Sequence, residues 1–419
     1  MSVGGRLPED VHVVSEKIEC ESEKITKVLM EDQDRTVLFE DIGGGRAAGN
    51  VFSTRGKIAE AMGIRPQEIV DFLAFAIAHP AAVNPVGNPE FRGTVLDTDL
   101  MKLPIPKYYP EDGGRYITAG IIIAELNGKR NVSFHRMMVM DGSRMAVRLV
   151  PRHLYTMYAE ARKSRQELKV SICVGAPVEV LLAAASSIDF DADELEMASA
   201  MRMKSFNQPL CVGKCDNGIT VPAECDYVME GAITLDYTEE GPFVDITGTY
   251  DFVRRQPVIR IDRIWAKKDP VFQLLLPGAN EHFLLMGLPR EPVILKTVRQ
   301  AVPRTHAVRL TEGGCCWLNG VVSISKNKKG DGVNAIMAAF TGHPSMKQVI
   351  IVDDDIDIFN DREVEWAVAT RFQADRMLVV KGAAGSSLDP SADGTTSKIG
   401  IDATIPIGQD PVLYRKVTL

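Results

Sequence analysis

The feature that most constrains this 419-residue chain is a change of sequence pattern near residue 104 and a second change near residue 295. Between these positions, short apolar and β-branched runs alternate with Gly, Pro, Asn and Asp, as is typical of an antiparallel sheet or barrel. On either side, helical spacing of apolar residues alternates with strand-like runs. We therefore expect a mixed α/β and β protein with an N-terminal α/β unit (1–103), a central β domain with inserted helices (104–295) and a C-terminal α/β domain (296–419).

Charge and hydropathy exclude several classes of partner. The formal net charge is -8, whereas a protein that neutralises nucleic-acid phosphates needs a basic surface. The first residues have no basic start followed by an apolar stretch, so no signal peptide is predicted. No apolar run reaches the roughly 18 residues that span a bilayer. The chain is expected to be cytoplasmic, with neither a nucleic-acid nor a membrane partner.

Polar residues interrupt a predicted inner strand at Asn131-Val-Ser-Phe-His-Arg136. Strand alternation puts Asn131, Ser133 and His135 on one face and Phe134 and Arg136 on the other, unless a bulge intervenes. For Asn131 and Arg136 to serve one site, the strand must twist or bulge between them.

Two further segments carry ionisable side chains. Pro151 ends a strand and leaves Arg152 and His153 at its tip, where a lone histidine is most often a hydrogen-bonded surface residue. Glu194 and Glu196 lie in a helical pattern, and a charged run of this kind is usually a solvated helix face. Both segments are candidates for a site, with these structural readings beside them.

Glu240 and Asp245 flank a predicted turn, because Gly241 and Pro242 interrupt the strand between them. Such a turn can direct both carboxylates into one pocket, and two carboxylates near an arginine form an acid/base device. Solvent-exposed turn acids are the alternative.

An acidic run, Asp353-Asp354-Asp355-Ile-Asp357, follows a buried strand. Acids at the carboxyl end of such a strand often bind Mg²⁺. Alternatively, they cap the next helix near Asp361 and pair with Arg362.

Several of these segments, in this order, resemble the UbiD-type decarboxylases. The matching stretches, which run from about GNVFSTR to the end of the chain, are LPIPKYYPEDGGRYITAGI, NVSFHR, LVPRHL, GAPVEVLLAAAS, VPAECDYVMEG, EEGPFVDITG, VVDDDID with EWAVATR, and SKIGIDAT. The resemblance implies a central split β-barrel of the flavin-reductase type and decarboxylation with prenylated FMN. It also assigns the acidic run at 353–357 to the C-terminal domain. There it favours helix capping and ion pairing over Mg²⁺ binding.

The resemblance further implies roles for individual residues. Arg136, Glu240 and Asp245 would be catalytic, with Asp245 as proton donor, although some family members have Glu at that position. Asn131, His153 and Glu196 would bind a divalent ion, usually Mn²⁺, and Ala185, Ser186 and Ile188 would lie near K⁺. Residues expected to bind the cofactor are Asn131, Ser133, Phe134, His135, Arg136, Arg148, Leu149, Arg152, His153, Glu196 and Lys398.

The sequence motifs are most similar to those of archaeal members that convert trans-anhydromevalonate 5-phosphate to isopentenyl phosphate. Cations expected near the substrate's phosphate are Arg115, Arg148, Arg152 and Lys398. An aromatic acid such as a 4-hydroxybenzoate derivative is the alternative substrate, and an FMN oxidoreductase or a non-catalytic homologue is the alternative function. The resemblance also implies a flavin prenyltransferase as cofactor supplier and a homo-oligomer, dimeric or hexameric.

Overall fold

The computed structural model describes residues 7 and 10–417, and the chain divides into two compact units, residues 1–285 and 286–419. Each unit is described by itself. The mixed α/β and β class is confirmed, while the three-domain boundaries stay a prediction.

The first unit begins with a small α/β layer. Its elements are β1 (His12–Ile18), α1 (Lys24–Glu31), β2 (Val37–Ile42), β3 (Gly45–Gly49), α2 (Arg55–Met62), α3 (Ile69–Ala78), β4 (Asn84–Pro85) and β5 (Thr94–Leu96). The β2–β3 hairpin turns through Gly43 and Gly44, whose φ angles of 56° and 96° favour glycine. Helix α1 buries Ile25, Val28 and Leu29 at helical spacing.

The middle of the unit is mostly strands. Its elements are β6 (Tyr116–Ile117), β7 (Ile121–Leu126), β8 (Lys129–Phe134), β9 (Met137–Val139), β10 (Arg144–Val147), α4 (His153–Lys163), β11 (Leu168–Val174), α5 (Val178–Ala185), α6 (Glu194–Phe206), β12 (Cys211–Lys214), β13 (Thr220–Pro222), β14 (Tyr227–Glu240), β15 (Phe243–Val244), β16 (Tyr250–Asp251), β17 (Arg254–Ala266), β18 (Phe272–Gln273) and α7 (Asn280–Gly287). Strand β18 joins the first layer, giving a four-stranded sheet of order β1-β2-β3-β18.

The large central sheet has the order β6-β9-β10-β17-β14-β11-β7-β8, with β5 also pairing β17. Within the described residues, no pairing joins its two edge strands, β6 and β8, so the expected barrel is not closed. Helices α4, α5 and α6 all contact β8. The central antiparallel sheet agrees with the expectation, and no closed barrel is found in the described part of the chain.

The second unit is a five-stranded sheet with helices. Its elements are α8 (Glu291–Ala301), β19 (Thr305–Leu310), β20 (Asn319–Ile324), α9 (Asp331–Gly342), β21 (Gln348–Asp353), α10 (Asp361–Arg371), β22 (Met377–Ala384) and β23 (Thr395–Ala403). The strand order is β19-β20-β21-β23-β22, and the three central strands are parallel to one another. The acidic run lies here: Asp353 and Asp355 pair with Arg371 rather than Arg362, and the Asn360 side chain caps α10.

Candidate active site

Arg136 lies in the short connection between β8 and β9. Strand β8 ends at Phe134 and β9 begins at Met137, so the side chain of Arg136 does not follow the alternation of β8. The sequence analysis required such a break if Arg136 and Asn131 were to serve one site. Its guanidinium is only 8% exposed. A charge buried to this degree needs partners close by.

The two predicted acids both reach Arg136. Glu240 ends β14 and accepts two hydrogen bonds, from Nε to Oε1 at 2.9 Å and from Nη2 to Oε2 at 3.1 Å. Asp245 follows β15 and accepts from Nη1 through Oδ2 at 2.9 Å. Between them, Gly241 adopts a φ of 104°, where a side chain would be strained. The turn thus brings together the residues that sequence reasoning grouped.

Asp251 is a third acid on Arg136 that the sequence analysis missed. In the β15–β16 hairpin Phe243 pairs with Asp251, and Asp251 Oδ2 accepts from Arg136 Nη2 at 2.9 Å. The sequence feature that could have identified Asp251 is its spacing of six residues from Asp245, across an Ile-Thr-Gly-Thr turn. The Phe243 ring lies 4.6 Å from the guanidinium carbon of Arg136 and adds a cation–π contact.

These contacts use four of the five guanidinium N–H groups of Arg136. Within the described residues, the remaining N–H is on Nη1, the nitrogen that also donates to Asp245. Burial alone would lower the pKa of Arg136, but Glu240, Asp245 and Asp251 together raise it, so the guanidinium stays charged. One N–H next to Asp245 is available to an incoming anion.

The acids differ in their surroundings. Glu240 is fully buried, and Tyr116 donates its phenol O–H to Oε1 at 3.1 Å. Burial, followed by the charge of Glu240, raises the pKa of Tyr116, so the phenol remains a donor. Asp245 is 21% exposed. Of these two acids, Asp245 is the one that a ligand can approach.

Two more groups that the sequence analysis missed lie around this cluster. His282, on α7, is close enough to Asp245 and Arg136 for both charges to act on its pKa, which burial lowers. Its Nδ1 accepts from the Gly278 N–H at 3.2 Å, so the ring proton is on Nε2. Arg254 donates to Asp251, and Arg148 Nε lies 3.9 Å from the same carboxylate.

A second cluster surrounds Asn131 on β8. Glu194, at the start of α6, accepts from Asn131 Nδ2 at 3.3 Å and from the Val132 N–H of the edge strand at 3.1 Å. Burial raises the pKa of Glu194 to about 7. Glu194 is therefore the carboxylate that contacts Asn131, whereas Glu196, which was expected to bind a divalent ion, lies roughly 200° farther around the helix.

The proton count in this cluster leaves one acceptor without a donor. His135 has a pKa lowered to about 4 by burial, and its Nδ1 lies 3.0 Å from the Arg148 carbonyl, which can only accept. His135 Nε2 is therefore an acceptor. Ser133 Oγ lies 2.9 Å from that nitrogen and 2.8 Å from Asn131 Oδ1, but it has one proton to donate. When it serves His135, Asn131 Oδ1 is free to bind a cation.

Other residues expected around a divalent ion begin or end helices that contact β8. His153 begins α4, and burial and then Arg152 lower its pKa, which keeps the ring neutral and able to bind a metal. Ala185 ends α5, and the half-buried Ser186 and Ile188 follow. Within residues 10–417 no three His, Cys, Asp or Glu side chains lie together as a metal cluster.

The remaining expected contacts are distributed unevenly. Arg152 Nη1 lies 3.4 Å from Ser187 Oγ, and the Leu149 N–H donates to Gln256. Arg115 is buried, and its guanidinium donates to the carbonyls of Ile105, Leu103 and Met101, so it serves the fold. Lys398 lies on β23 of the second unit, where its ammonium donates to the Pro344 carbonyl.

Comparison with known protein families gives three matches. The UbiD N-terminal domain, Rift-related domain and C-terminal domain of 3-octaprenyl-4-hydroxybenzoate carboxy-lyase match residues 8–77, 85–280 and 283–403. In the described part of the chain, no helix has the length and hydropathy of a membrane span.

Individual relatives are similar over most of the chain. Anhydromevalonate phosphate decarboxylase of Methanothermobacter thermautotrophicus is 46% identical, over 85% of this chain and 84% of the relative. The enzyme of the same name from Methanocaldococcus jannaschii is 41% identical, over 91% of each chain. The UbiD-class enzyme HmfF from Pelotomaculum thermopropionicum in complex with FMN superposes with a TM-score of 0.93 at 36% identity, over 98% of this chain and 94% of that one. An evolved dimeric form of HmfF in complex with prFMN gives 0.91 at 33% identity, over 100% and 97%.

Proposed function

Because the chain belongs to the UbiD family of carboxy-lyases, we propose that it decarboxylates trans-anhydromevalonate 5-phosphate to isopentenyl phosphate, with prenylated FMN as cofactor. The substrate is supported by the identity to relatives named for this reaction, which extends over most of both chains. The observation that carries the chemistry is the Arg136 fork, buried among three carboxylates with one N–H left beside Asp245.

The residues around β8 fit a flavin phosphate and its metal ion. Two helices, α4 and α6, begin beside this strand, and helix N-termini favour anions. Arg152 immediately precedes α4, and Arg148 lies at the end of β10. Prenylated FMN, when bound, supplies an electron sink for the charge left by the departing CO2.

Arg136 would hold the substrate carboxylate. Its available N–H is on Nη1, so the carboxylate comes to lie next to Asp245 and receives one charge-assisted hydrogen bond from that nitrogen. Asp245, the most exposed of the three acids, would first take a proton from solvent, which removes its repulsion from the substrate carboxylate, and would then deliver that proton to the carbon that loses CO2. Glu240 keeps Arg136 in place, because it is buried and bound on both oxygens.

For the divalent ion, Mn²⁺ in this proposal, Asn131 and His153 are retained and Glu194 takes the place of Glu196. Amide oxygen, imidazole and carboxylate are ligands that suit such an ion bridging to phosphate. K⁺ would lie at the end of α5, where carbonyl groups of Ala185, Ser186 and Ile188 follow the negative end of the helix dipole.

The metal assignment is tested by the matched pair Glu194→Gln and Glu196→Gln. Purified holoprotein is analysed for bound manganese and titrated with Mn²⁺ by calorimetry. We expect Glu194→Gln to weaken Mn²⁺ binding by about 10- to 100-fold and Glu196→Gln to bind as wild type. The opposite order would restore the assignment made from the sequence.

The proposal includes three features of the cellular setting. A flavin prenyltransferase supplies the cofactor, the chain assembles as a homo-oligomer through its residues 296–419, and it works in the cytoplasm.

The function is tested by coexpressing the chain with a flavin prenyltransferase and measuring CO2 release and product. The substrates compared are trans-anhydromevalonate 5-phosphate, 4-hydroxybenzoate and cinnamate. Isopentenyl phosphate formed by wild type supports the proposal. Turnover of an aromatic acid alone would keep the decarboxylase and exclude the proposed substrate.

A further inference from the structure

Arg254 faces the candidate active site, although the sequence analysis did not single it out. Strands β14 and β17 are antiparallel, and Arg254 pairs with Glu240 while Arg255 pairs with Glu239. Paired residues project from the same face of a sheet, and neighbours along a strand project from opposite faces. Arg254 is therefore on the side of Glu240, and Arg255 is on the other side.

Asp251 connects Arg254 to Arg136. Its Oδ1 accepts from Arg254 Nη1, and its Oδ2 accepts from Arg136 Nη2 at 2.9 Å. Because Asp251 accepts both hydrogen bonds and its two oxygens are about 2.2 Å apart, the two donor nitrogens lie within roughly 8 Å of each other. One carboxylate thus holds two guanidinium groups at a fixed, short separation.

Positive charge continues from the buried end of this cluster toward solvent. The side chain of Arg136 is 8% exposed, that of Arg148 is 22% and that of Arg254 is 35%. Burial and the charges of Arg254 and Arg136 lower the pKa of Arg148, which places all three cations in one electrostatic neighbourhood. Asp251 is the carboxylate that they share. The solvent-exposed end of this cluster, at Arg254, therefore favours the binding of a second anion.

The proposed substrate has two anionic groups at a matching distance. Six bonds separate its carboxyl carbon from its phosphorus, which is roughly 7 Å in an extended chain. A substrate whose carboxylate lies on Arg136 is therefore long enough for its phosphate to reach Arg254.

We infer that Arg254 binds the phosphate monoester of the substrate, and that Asp251 sets the distance between this phosphate subsite and Arg136. The inference rests on the proposed function and deepens it. It names Arg254 as the residue that selects acids carrying a phosphate at the end of a short carbon chain. A phosphate dianion and a guanidinium form paired, charge-assisted hydrogen bonds.

The test compares Arg254→Gln with Arg255→Gln in prenylated-FMN holoenzyme. Each is assayed with trans-anhydromevalonate 5-phosphate and with the same acid lacking its phosphate. With the phosphorylated acid, Arg254→Gln should raise KM at least about tenfold while kcat changes by less than about threefold. With the unphosphorylated acid its kinetics should match wild type, and Arg255→Gln should match wild type on both.

Equal losses on both acids would overturn the inference, because Arg254 would then serve only to hold Asp251 and Arg136. A preserved preference for the phosphorylated acid would overturn it as well. Wild-type turnover reports separately on the proposed function, since a wild type inactive on the phosphorylated acid refutes that substrate.

A binding experiment tests the subsite independently of turnover. Inorganic phosphate is titrated into holoenzyme by calorimetry, with the flavin's own phosphate site already filled. Wild type and Arg255→Gln should bind phosphate, and Arg254→Gln should bind it at least about tenfold more weakly. Equal binding by all three proteins, or none by wild type, contradicts the assignment.

Discussion

The two units each bury an arginine among carboxylates, but the two arginines are satisfied differently. Arg371, in the second unit, donates through Nη1 to Asp353 and Asp355 and through Nη2 to Asp355 and the Tyr414 carbonyl, so all four terminal N–H groups have acceptors. Arg136 has three acid partners and still keeps one terminal N–H available beside Asp245. Each arginine has one N–H without a partner among the described residues, but that of Arg371 is its buried Nε, whereas that of Arg136 is on Nη1 beside the partly exposed Asp245, where a ligand can approach.

The setting of the two clusters reinforces this difference. The partners of Arg371 lie 16 to 43 residues away along the chain, and its side chain is fully buried. The acids on Arg136 lie 104 to 115 residues away, at the end of β14 and in the β15–β16 hairpin. Arg371 fastens local elements of one sheet, whereas Arg136 gathers separate strands around one point.

The largest expected effect distinguishes the clusters by catalysis. Asp245→Asn removes the proposed proton donor, so kcat should fall by about 10²- to 10⁴-fold, while Asn still accepts the hydrogen bond from Arg136. Asp355→Asn removes an acid from the Arg371 cluster and should leave kcat unchanged. Single-turnover CO2 release, with product protonation followed in deuterium oxide, measures both. Comparable losses of kcat in the two variants would show that the Arg136 and Arg371 clusters do not differ in catalysis.

Stability should show the reverse contrast. Arg371→Gln leaves Asp353 and Asp355 without their cation and should cost about 3–5 kcal/mol of unfolding free energy, as expected when one partner of a buried pair is removed. The folded fraction of this variant should keep the wild-type kcat. Urea unfolding and active-site titration provide the two values, and a lowered kcat per folded molecule would assign Arg371 a role in catalysis.

Sequence reasoning succeeded where the determining contacts are local. Gly241 and Pro242 identify the turn that brings Glu240 and Asp245 together. Strand β8 ends before Arg136, where the polar residues of the sequence indicated a break. The roles assigned to these residues stay predictions.

It failed where register or helix phase decides. Asp251 and Arg254 depend on pairing between hairpins and on the two irregularities of the β14–β17 ladder. Glu194 and Glu196 are equally acidic in the sequence, and only the phase of α6 against β8 selects Glu194. Whether the edge strands β6 and β8 pair with each other is likewise a long-range feature that strand patterns do not encode.

Acid titration should sharpen the comparison further. Burial would raise the pKa of Asp251, but Arg254 and Arg136 hold it below the usual value, and hydrogen bonding to Arg371 lowers the pKa of Asp355. An aspartate with a lowered folded-state pKa stabilises the fold above its unfolded pKa, about 4, and loses this contribution as the pH falls through the folded value.

The two acids differ in exposure, at 15% for Asp251 and 53% for Asp355, so solvent screens the second more strongly. Asp251→Asn should therefore flatten the loss of stability below about pH 4 more than Asp355→Asn does. Denaturant midpoints measured across this range give both slopes, and a larger flattening in Asp355→Asn would reverse the ranking.

The smallest effect concerns how each cluster holds its innermost acid. Asp353 accepts from the Ile405 backbone N–H at 2.7 Å, whereas Glu240 accepts from the Tyr116 phenol at 3.1 Å. Tyr116→Phe deletes only that donor and should cost about 1 kcal/mol of stability, with kcat lowered a few-fold because Glu240 holds Arg136 less firmly. An unchanged kcat with the same loss of stability would show that the carboxylate needs no side-chain donor to keep Arg136 aligned. Glu240 would then resemble Asp353, an acid placed by the fold alone.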